Sequence, residues 1–189
     1  MRIISGKNGG QLIKVPKNFK LRPTTDRSKE GVFNIISSYF NYDDLNVLDL
    51  FSGTGSISYE FASRGTKKIT AIDLNSKHTN FIKSQSKRFN YDLQVIKFDV
   101  FKYLSVDKKN EYDIIFLDPP YMLELNKYIS IIYKIFDFNM LKLNGFIIVE
   151  HSNKIDLDSI EMFYMKRKYG GCYFSIFKNI NNWKPELYL

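Results

Sequence analysis

Residues 47–55 read VLDLFSGTG, an apolar run that passes directly into a turn containing Gly53 and Gly55. A short apolar run bounded by a turn is typical of a buried strand, and glycine lets the backbone turn tightly beside a ligand. The turn lacks the third glycine of the dinucleotide fingerprint, because Ser58 stands there, and no Gly-Lys-Ser/Thr phosphate loop follows. These residues therefore predict a strand and a ligand-binding turn that is not built for a pyrophosphate.

Strand and helix patterns alternate from residue 46 to residue 149. Short strands separated by helices are typical of a parallel sheet with right-handed crossovers. We therefore predict a doubly wound α/β domain of the Rossmann type. The predicted strands are Val47–Leu50, Ile69–Ile72, Leu93–Lys97, Ile114–Leu117 and Phe146–Val149, and the intervening helices are Ser56–Ser63, Ser76–Phe89, a short turn at Val100–Leu104, and Leu125–Phe136.

The pattern changes after the fifth predicted strand. Met162–Lys168 and Cys172–Lys178 are β-like runs that flank two glycines. Such runs joined by a glycine-containing turn are typical of an antiparallel hairpin, so we expect the mostly parallel sheet to close with one, within a single domain spanning residues 1–189. His151 follows the fifth strand and could face a ligand, but we favour a buried or capping histidine.

Positive charge is concentrated at the N-terminal end. The chain carries a net charge of +8, and residues 1–30 hold eight basic residues against two acidic ones. A lysine-rich composition alone would not cluster the charge, so the pattern favours a nucleic-acid partner. Arg2–Ser5 and Gln11–Val15 predict a hairpin here, followed by a capped helix. We expect residues 1–25 to form a basic hairpin and approach segment that contacts RNA, with Lys14, Lys17, Lys20, Arg22 and Arg27 as the RNA-binding residues.

Composition also argues against several classes of protein. Cys172 is the only cysteine, which excludes an internal disulfide and a cysteine-rich metal site, and two histidines argue against a zinc site. No apolar run approaches the roughly 20 residues that span a bilayer, and residues 1–6 show no secretory apolar segment. We therefore expect a cytoplasmic monomer with neither a metal nor a membrane partner.

Acidic residues stand at the ends of four successive predicted strands, at Asp49, Asp73, Asp99 and Asp118. Open α/β sheets bind ligands outside the carboxyl ends of their strands, so these carboxylates should share one pocket. Each of them alone could instead cap the next helix. Together they suit a cationic nucleoside that carries an amine and no phosphate. S-adenosylmethionine has that chemistry, and we predict it as the cofactor.

Two of these acids have predicted roles within the cofactor pocket. Asp73 lies 18 residues beyond Gly55 and can accept hydrogen bonds from both ribose hydroxyls. Asp99 can accept one from the adenine amine, while the neighbouring Phe98 covers the face of the ring. The predicted cofactor-binding residues are Asp49, Ser52, Gly53, Gly55, Asp73, Phe98, Asp99 and Asp118.

The tetrad Asp118-Pro119-Pro120-Tyr121 follows the fourth strand. An exocyclic base amine is a poor nucleophile because its lone pair is delocalised into the ring. Asp118 can accept one amine hydrogen, and a rigid turn at Pro119 can aim its carbonyl at the other. Tyr121 can stack on a base lifted out of its surroundings. A structural turn with a packed tyrosine is the alternative, but the pocket upstream favours Asp118, Pro119 and Tyr121 as catalytic residues.

Motifs of one known family are spread over nearly the whole chain. They are Met1 to Gly6, Leu21 to Arg27 with Glu30, Phe33 and Asn34, Val47 to Gly55, Ser63 to Gly65, Phe116 to Tyr121, Val149 to His151, and Tyr169 to Gly171. With them the chain resembles the bacterial 16S ribosomal RNA (guanine-N2)-methyltransferases of the RsmD type. The resemblance implies methylation of a guanine amine in small-subunit RNA, and it implies that Arg22, Thr25 and Arg27 lie near the pocket or the RNA.

Two other functions stay open at the level of sequence. An adenine-N6 methyltransferase acting on DNA or RNA would more often carry asparagine where this chain has Asp118. A non-catalytic RNA-binding or ribosome-assembly factor on the same scaffold would be expected to have lost pocket acids, and this chain keeps all four. The residues therefore favour the guanine-N2 enzyme over both.

Overall fold

A single mixed sheet organises the computed structural model, which describes residues 1–19, 24–105 and 112–180. The strands in these ranges are β1 (Asn46–Leu50), β2 (Lys68–Asp73), β3 (Leu93–Lys97), β4 (Tyr112–Leu117), β5 (Leu141–His151), β6 (Phe163–Tyr169) and β7 (Cys172–Lys178). Their order across the sheet is β3-β2-β1-β4-β5-β7-β6. The pairs among β1 to β5 are parallel, and β7 runs antiparallel to both β5 and β6. This confirms the predicted α/β fold with its antiparallel C-terminal hairpin.

Four helices connect the parallel strands in the described part of the chain, and another precedes β1. They are α1 (Asp26–Tyr39), α2 (Ser56–Arg64), α3 (Ser76–Phe89), α4 (Val100–Tyr103) and α5 (Leu125–Asp137), with a short 3-10 turn at Tyr42–Asp44. The bounds of α3 are those predicted, because both ends are capped. The Asn75 side chain accepts a hydrogen bond from the N–H of Lys77, and Asn90 ends the helix in the left-handed conformation.

The central strands bury both of their faces. In β4, Ile114 and Phe116 belong to one core, and Ile115 and Leu117 belong to the other. Side chains alternate between the two faces of a strand, so α1, α2 and α3 cover one face while α4 and α5 cover the other. Each large apolar side chain buried in this way contributes about 1.5–3 kcal/mol. The carboxyl edge of the sheet is thereby held as a rigid platform for the loops that follow the strands.

The N-terminal hairpin is held both by backbone hydrogen bonds and by a side chain of α2. Its two predicted strands meet through one isolated bridge, between Arg2 and Leu12. The N–H of Ile3 donates to the carbonyl of Gln11 at 3.0 Å, and the N–H of Ile13 donates to the carbonyl of Met1 at 2.9 Å. The N–H groups of Ile4 and Ser5 donate instead to the carboxylate of Glu60 in α2, at 2.7 and 3.0 Å. The predicted hairpin is therefore present, its strand pairing is shorter than the two predicted runs, and Glu60 docks it on α2.

A buried cation balances the charge of Glu60. The amino group of Lys29 lies 3.8 Å from Oε2 of Glu60 and donates to the carbonyl of Arg2. Arg64 donates to Oε1 of the same carboxylate at 2.9 Å. Burial lowers the pKa of Lys29. This network ties the start of the chain to α1 and α2, beside the loops at the carboxyl edge.

Candidate active site

A cavity of about 750 Å³ opens at the carboxyl edge of β1, β2, β3 and β4. This volume lies within the range of about 300–1,000 Å³ that is typical of ligand pockets. Residues 15–17 and Phe19, from the N-terminal segment, also line it. The structure brings together around this cavity eight of the predicted cofactor-binding and catalytic residues: Asp49, Ser52, Gly53, Asp73, Asp99, Asp118, Pro119 and Tyr121.

The turn after β1 needs backbone conformations that favour glycine. Gly53 and Gly55 are left-handed, with φ of 53° and 78°. Gly53 lines the cavity, whereas a Cβ on Gly55 would come within 2.8 Å of the Tyr59 ring. Ser52 anchors the turn because its N–H and its hydroxyl both donate to the carbonyl of Ile72, at 2.9 and 3.1 Å. Ser52 and Gly53 therefore stand at the cavity, and Gly55 shapes the turn that presents them.

Asp49 is the penultimate residue of β1 and lines the cavity with only 1% of its surface exposed. The hydroxyl of Ser58 donates to its Oδ2 at 2.5 Å. Burial raises the pKa of Asp49 to about 7. Ser58 stands where the dinucleotide fingerprint has its third glycine. The departure from that fingerprint thus supplies the hydrogen bond that orients a buried carboxyl group.

Asp73 is held in place by the protein itself. Its Oδ2 accepts the N–H of Gly53 at 2.8 Å, and its Oδ1 accepts the N–H of Asn75 at 2.7 Å. Nδ1 of His78 lies 3.1 Å from the same Oδ1, and the Phe19 ring packs on the imidazole with centroids 5.1 Å apart. His78 lines the cavity and was missed in the sequence. Its position in the first turns of α3, five residues after Asp73, is the signal that could have found it.

The side chains of Asp99 and Phe98, which follow β3, lie in different places relative to the cavity. Asp99 lines the cavity and also caps α4, accepting the N–H of Lys102 at 2.9 Å. The structure places Phe98 outside the cavity, with its ring edge-on to that of Tyr103. The N–H of Phe98 bonds the carbonyl of Asp73 and continues the strand pairing, so the two successive side chains point to opposite sides. The apolar wall expected of Phe98 comes instead from Leu74, Val100 and Phe101.

The tetrad after β4 lies at the mouth of the cavity. Asp118 and Pro119 line its interior, and the carbonyl of Pro120 accepts the N–H of Leu123 at 2.8 Å, which closes a tight turn. Tyr121 lines the cavity while 36% of its surface stays exposed. The turn thus holds a carboxyl group inside the cavity and an aromatic ring at its rim.

Behind Asp118 lies a second acidic residue, Glu150, to which the sequence pattern assigned no role. Glu150 is buried in β5, and the hydroxyl of Thr24 donates to its Oε2 at 3.0 Å. Burial raises the pKa of Asp118 well above its ordinary value, and the charges of Glu150 and Asp49 raise it further. The strand-end position of Glu150, beside His151, is the signal that could have found it.

The basic residues of the N-terminal region divide into two sets. Lys14, Lys17 and Arg27 are exposed, and Lys17 lines the cavity. Two other cations are paired within the protein, Lys29 with Glu60 as described and Arg2 with Asp26 at 2.9 Å. The remaining predicted RNA-binding residues, Lys20 and Arg22, lie outside the described residues.

His151 is a buried histidine and does not line the cavity. Its Nε2 lies 2.8 Å from Oγ of Ser175, its Nδ1 lies 2.9 Å from the carbonyl of Ser152, and its ring stacks on Tyr173. Burial lowers the pKa of His151. The favoured interpretation of a buried histidine is confirmed.

Metal-ligating clusters and membrane-spanning helices are both absent from residues 1–19, 24–105 and 112–180. No group of three or more histidine, cysteine, aspartate or glutamate side chains in these ranges is arranged to hold a metal ion. In the same ranges, the helices are too short or too polar to cross a membrane.

Known proteins resemble this chain over almost its full length. YlbH of Bacillus subtilis, provisionally named an rRNA methyltransferase, is 35% identical over 173 residues, which are 89% of this chain and 92% of YlbH. The "Ribosomal RNA small subunit methyltransferase D" of Buchnera aphidicola subsp. Baizongia pistaciae is 32% identical over 187 residues, 96% of this chain and 93% of that protein. A Haemophilus influenzae crystal structure, provisionally named a methylase, has a TM-score of 0.77 at 27% identity and covers 95% of this chain and 98% of that one.

A family model described as "Conserved hypothetical protein 95" matches residues 1–178. The match covers every loop that lines the cavity and the N-terminal segment beside them. The names of the relatives agree with the resemblance that the sequence motifs carry, which is thereby confirmed. On this match, the chain belongs to the family described as Conserved hypothetical protein 95.

Proposed function

We propose that this protein is an S-adenosylmethionine-dependent methyltransferase that methylates the exocyclic N2 amine of a guanine in the 16S ribosomal RNA of the small subunit. The observation that carries the proposal is that one cavity joins Asp73 and Asp99 to the tetrad Asp118-Pro119-Pro120-Tyr121. A nucleoside-binding side and a candidate amine-binding side thus share one space. The names of the relatives support the choice of ribosomal RNA as substrate and of methyl transfer as the reaction.

The residues of the cavity fit the proposed cofactor. Four carboxyl groups line it, at Asp49, Asp73, Asp99 and Asp118, and Lys17 is the only lysine or arginine among its described lining residues. This balance suits a ligand that carries a sulfonium and an ammonium group, and it would repel a pyrophosphate. The apolar wall of Leu74, Val100 and Phe101 suits the adenine ring. The volume leaves room for a base beside the cofactor.

The chain's own groups then act by placing the amine. S-adenosylmethionine supplies an electrophilic methyl group on its sulfonium. Asp118 accepts one hydrogen of the guanine amine, and the carbonyl of Pro119 accepts the other, so the nitrogen lone pair is aimed at that methyl group. Tyr121 at the rim stacks on a base that has left its own stack. Most of the acceleration comes from this positioning of two reactants.

The choice of RNA and the choice of base rest on different residues. The exposed Lys14, Lys17 and Arg27 beside the cavity support contact with a polyanion. The carboxylate of Asp118, in the place where adenine-N6 enzymes more often carry asparagine, supports guanine. The exposed basic segment and the tetrad meet at one mouth, because residues 15–17 line the same cavity as Tyr121.

The test is transfer of a labelled methyl group to small ribosomal subunits from a strain that lacks the gene. Nucleoside digestion of the product should yield labelled N2-methylguanosine and no other labelled nucleoside. Appearance of N6-methyladenosine would show that the substrate base is adenine rather than guanine. Calorimetric titration with S-adenosylmethionine tests the cofactor separately, and the absence of binding would point to a non-catalytic factor on the same scaffold.

A further inference from the structure

Asp118 and Glu150 are neighbours at the carboxyl edge of the sheet. Leu117 pairs with Val149 in the register of β4 and β5, so the next residue of each strand is an acid. Asp118 lines the cavity, whereas Glu150 is 4% exposed and lies behind it, away from the space that a substrate would fill. The second carboxyl group can therefore act on substrate only through its neighbours.

Thr24 bridges the two acids. Its hydroxyl donates to Oε2 of Glu150 at 3.0 Å, and hydrogen bonding from the same side chain opposes the rise in the pKa of Asp118. A hydroxyl carries one proton, so Thr24 donates to one carboxyl group at a time. Thr24 is buried, lines the cavity and is 126 residues from Glu150 in the chain. The approach to α1 thus completes a site that is otherwise made by strand ends.

Acidic and phenolic side chains face Asp118 from three elements of the described structure, while Lys17 and His78 also line the cavity. Asp49 faces that carboxyl group from β1 and Glu150 from β5, and Tyr128 from α5 adds a phenol. Within the described residues, no lysine, arginine or histidine forms an ion pair with Asp118. Close carboxyl groups of like charge hold protons more tightly than isolated ones. Asp118 is therefore a stronger base than an exposed aspartate.

We propose that Glu150 is a positioning residue for methyl transfer, which through Thr24 and through its own negative charge makes Asp118 the proton acceptor of the site. The inference rests on the proposed function and adds a second acid to it. As the amine attacks, its lone pair forms the N–C bond, and the methyl–sulfur bond breaks with its electron pair staying on sulfur. The nitrogen then bears an extra proton, which passes to the Asp118 carboxylate and leaves a neutral methylated amine.

The decisive measurement is the pH profile of single-turnover methyl transfer to small ribosomal subunits, between about pH 5 and pH 9. Glu150→Gln keeps the size of the side chain and an acceptor for Thr24, but it removes the charge. The acid limb of the profile should move to lower pH by about one unit, the scale on which close carboxyl groups interact. Thr24→Val removes the donor and should move the limb the opposite way, to higher pH.

Two conservative variants serve as controls. Glu150→Asp keeps the charge and Thr24→Ser keeps the hydroxyl, so the limb of each should stay at the native pH even if the rate falls. Calorimetric titration with S-adenosylmethionine and thermal unfolding show whether each variant is folded. A Glu150→Gln profile that is scaled down but not displaced would overturn the inference and leave Glu150 a structural acid. If that variant does not fold, an unmoved limb in Thr24→Val overturns it instead. Failure of the native protein to form N2-methylguanosine would instead refute the proposed function itself.

Discussion

Nδ1 of His78 lies 3.1 Å from Oδ1 of Asp73, and Phe19 from the N-terminal segment packs against the imidazole. The histidine thus joins the carboxyl group proposed to hold the ribose to a segment much earlier in the chain. The other oxygen of Asp73 is held by the N–H of Gly53. The carboxyl group is therefore oriented from two sides before any ligand arrives.

Asp73→Ala should weaken binding of S-adenosylmethionine. Loss of a charge-assisted hydrogen bond costs about 1.5–3 kcal/mol, or roughly 10- to 150-fold in affinity. Because Asp73 also accepts the N–H groups of Gly53 and Asn75, the variant should unfold at a lower temperature as well. Calorimetric titration and thermal unfolding measure the two effects. Asp92→Ala, an exposed acid before β3, is the matched control, and equal affinities of the two variants would remove Asp73 from the cofactor site.

His78→Ala should give a smaller loss of cofactor affinity. It removes one hydrogen bond to Asp73, worth about 0.5–1.5 kcal/mol, so the dissociation constant should rise roughly 2- to 13-fold. Lys77→Ala, an exposed change on the same helix, should leave the constant where it is. Titration of both variants with S-adenosylmethionine checks this. Equal dissociation constants for the two variants would mean that the imidazole does not contribute to cofactor binding through Asp73.

Lys14 and Arg27 should contribute to RNA affinity through charge alone. Both are exposed and neither lines the cavity. Replacing both by alanine should flatten the dependence of log K on log salt by about 0.7–0.9 for each phosphate that is no longer bound, with cofactor affinity unchanged. Filter binding of a 16S ribosomal RNA fragment at several salt concentrations measures the slope. The double variant Lys83→Ala and Lys87→Ala on α3 removes the same charge elsewhere, and an equal slope for the two pairs would refute a specific RNA face.

Tyr121→Ala should slow methyl transfer far more than Tyr121→Phe. Alanine loses base stacking worth about 1–3 kcal/mol, or roughly 5- to 150-fold in rate, whereas phenylalanine keeps the aromatic face. Single-turnover transfer to small ribosomal subunits separates the two variants. If phenylalanine were as damaging as alanine, the phenol hydroxyl rather than the ring would be the important group.

Asp49→Asn should stabilise the protein at neutral pH and weaken cofactor binding. The pKa of Asp49 is about 7 in the folded protein, above the ordinary value of about 3.9 for an aspartate in the unfolded chain. The folded state therefore holds this proton more tightly, and that stabilisation is full below about pH 4 and is lost as the pH rises to 7. Asparagine avoids the loss, which is on the order of 2–4 kcal/mol.

Chemical denaturation of Asp49→Asn and the native protein between about pH 4 and pH 7.5 tests this expectation. The difference in the free energy of unfolding should be near zero at the acid end and should grow with pH. Asp92→Asn controls for the loss of one surface charge. If the difference in the free energy of unfolding is the same at every pH, then ionisation of Asp49 does not destabilise the folded protein.

The features that could be predicted from the sequence are those that depend on residues close together in the chain. The bounds of β3, α3 and β7 are those predicted, because turn and cap residues flank them closely in sequence. The strand-end acids meet at one edge because parallel strands share their direction, and that geometry needs no further information. The cavity was predictable for the same reason.

What could not be predicted involves partners that are distant in the chain. Glu60 accepts the N–H groups of Ile4 and Ser5 from 56 and 55 residues away, a contact that docks the hairpin on α2. Thr24 and Glu150 meet across 126 residues. Periodicity and spacing describe one segment at a time, so they carry no information on such pairings.

The N-terminal segment around Val15 to Phe19 lines the cavity proposed for the cofactor and lies between the exposed cations Lys14 and Arg27. One stretch of backbone is thus shared by two binding equilibria. If bound RNA changes the affinity for the nucleoside by some factor, the bound nucleoside must change the affinity for RNA by the same factor.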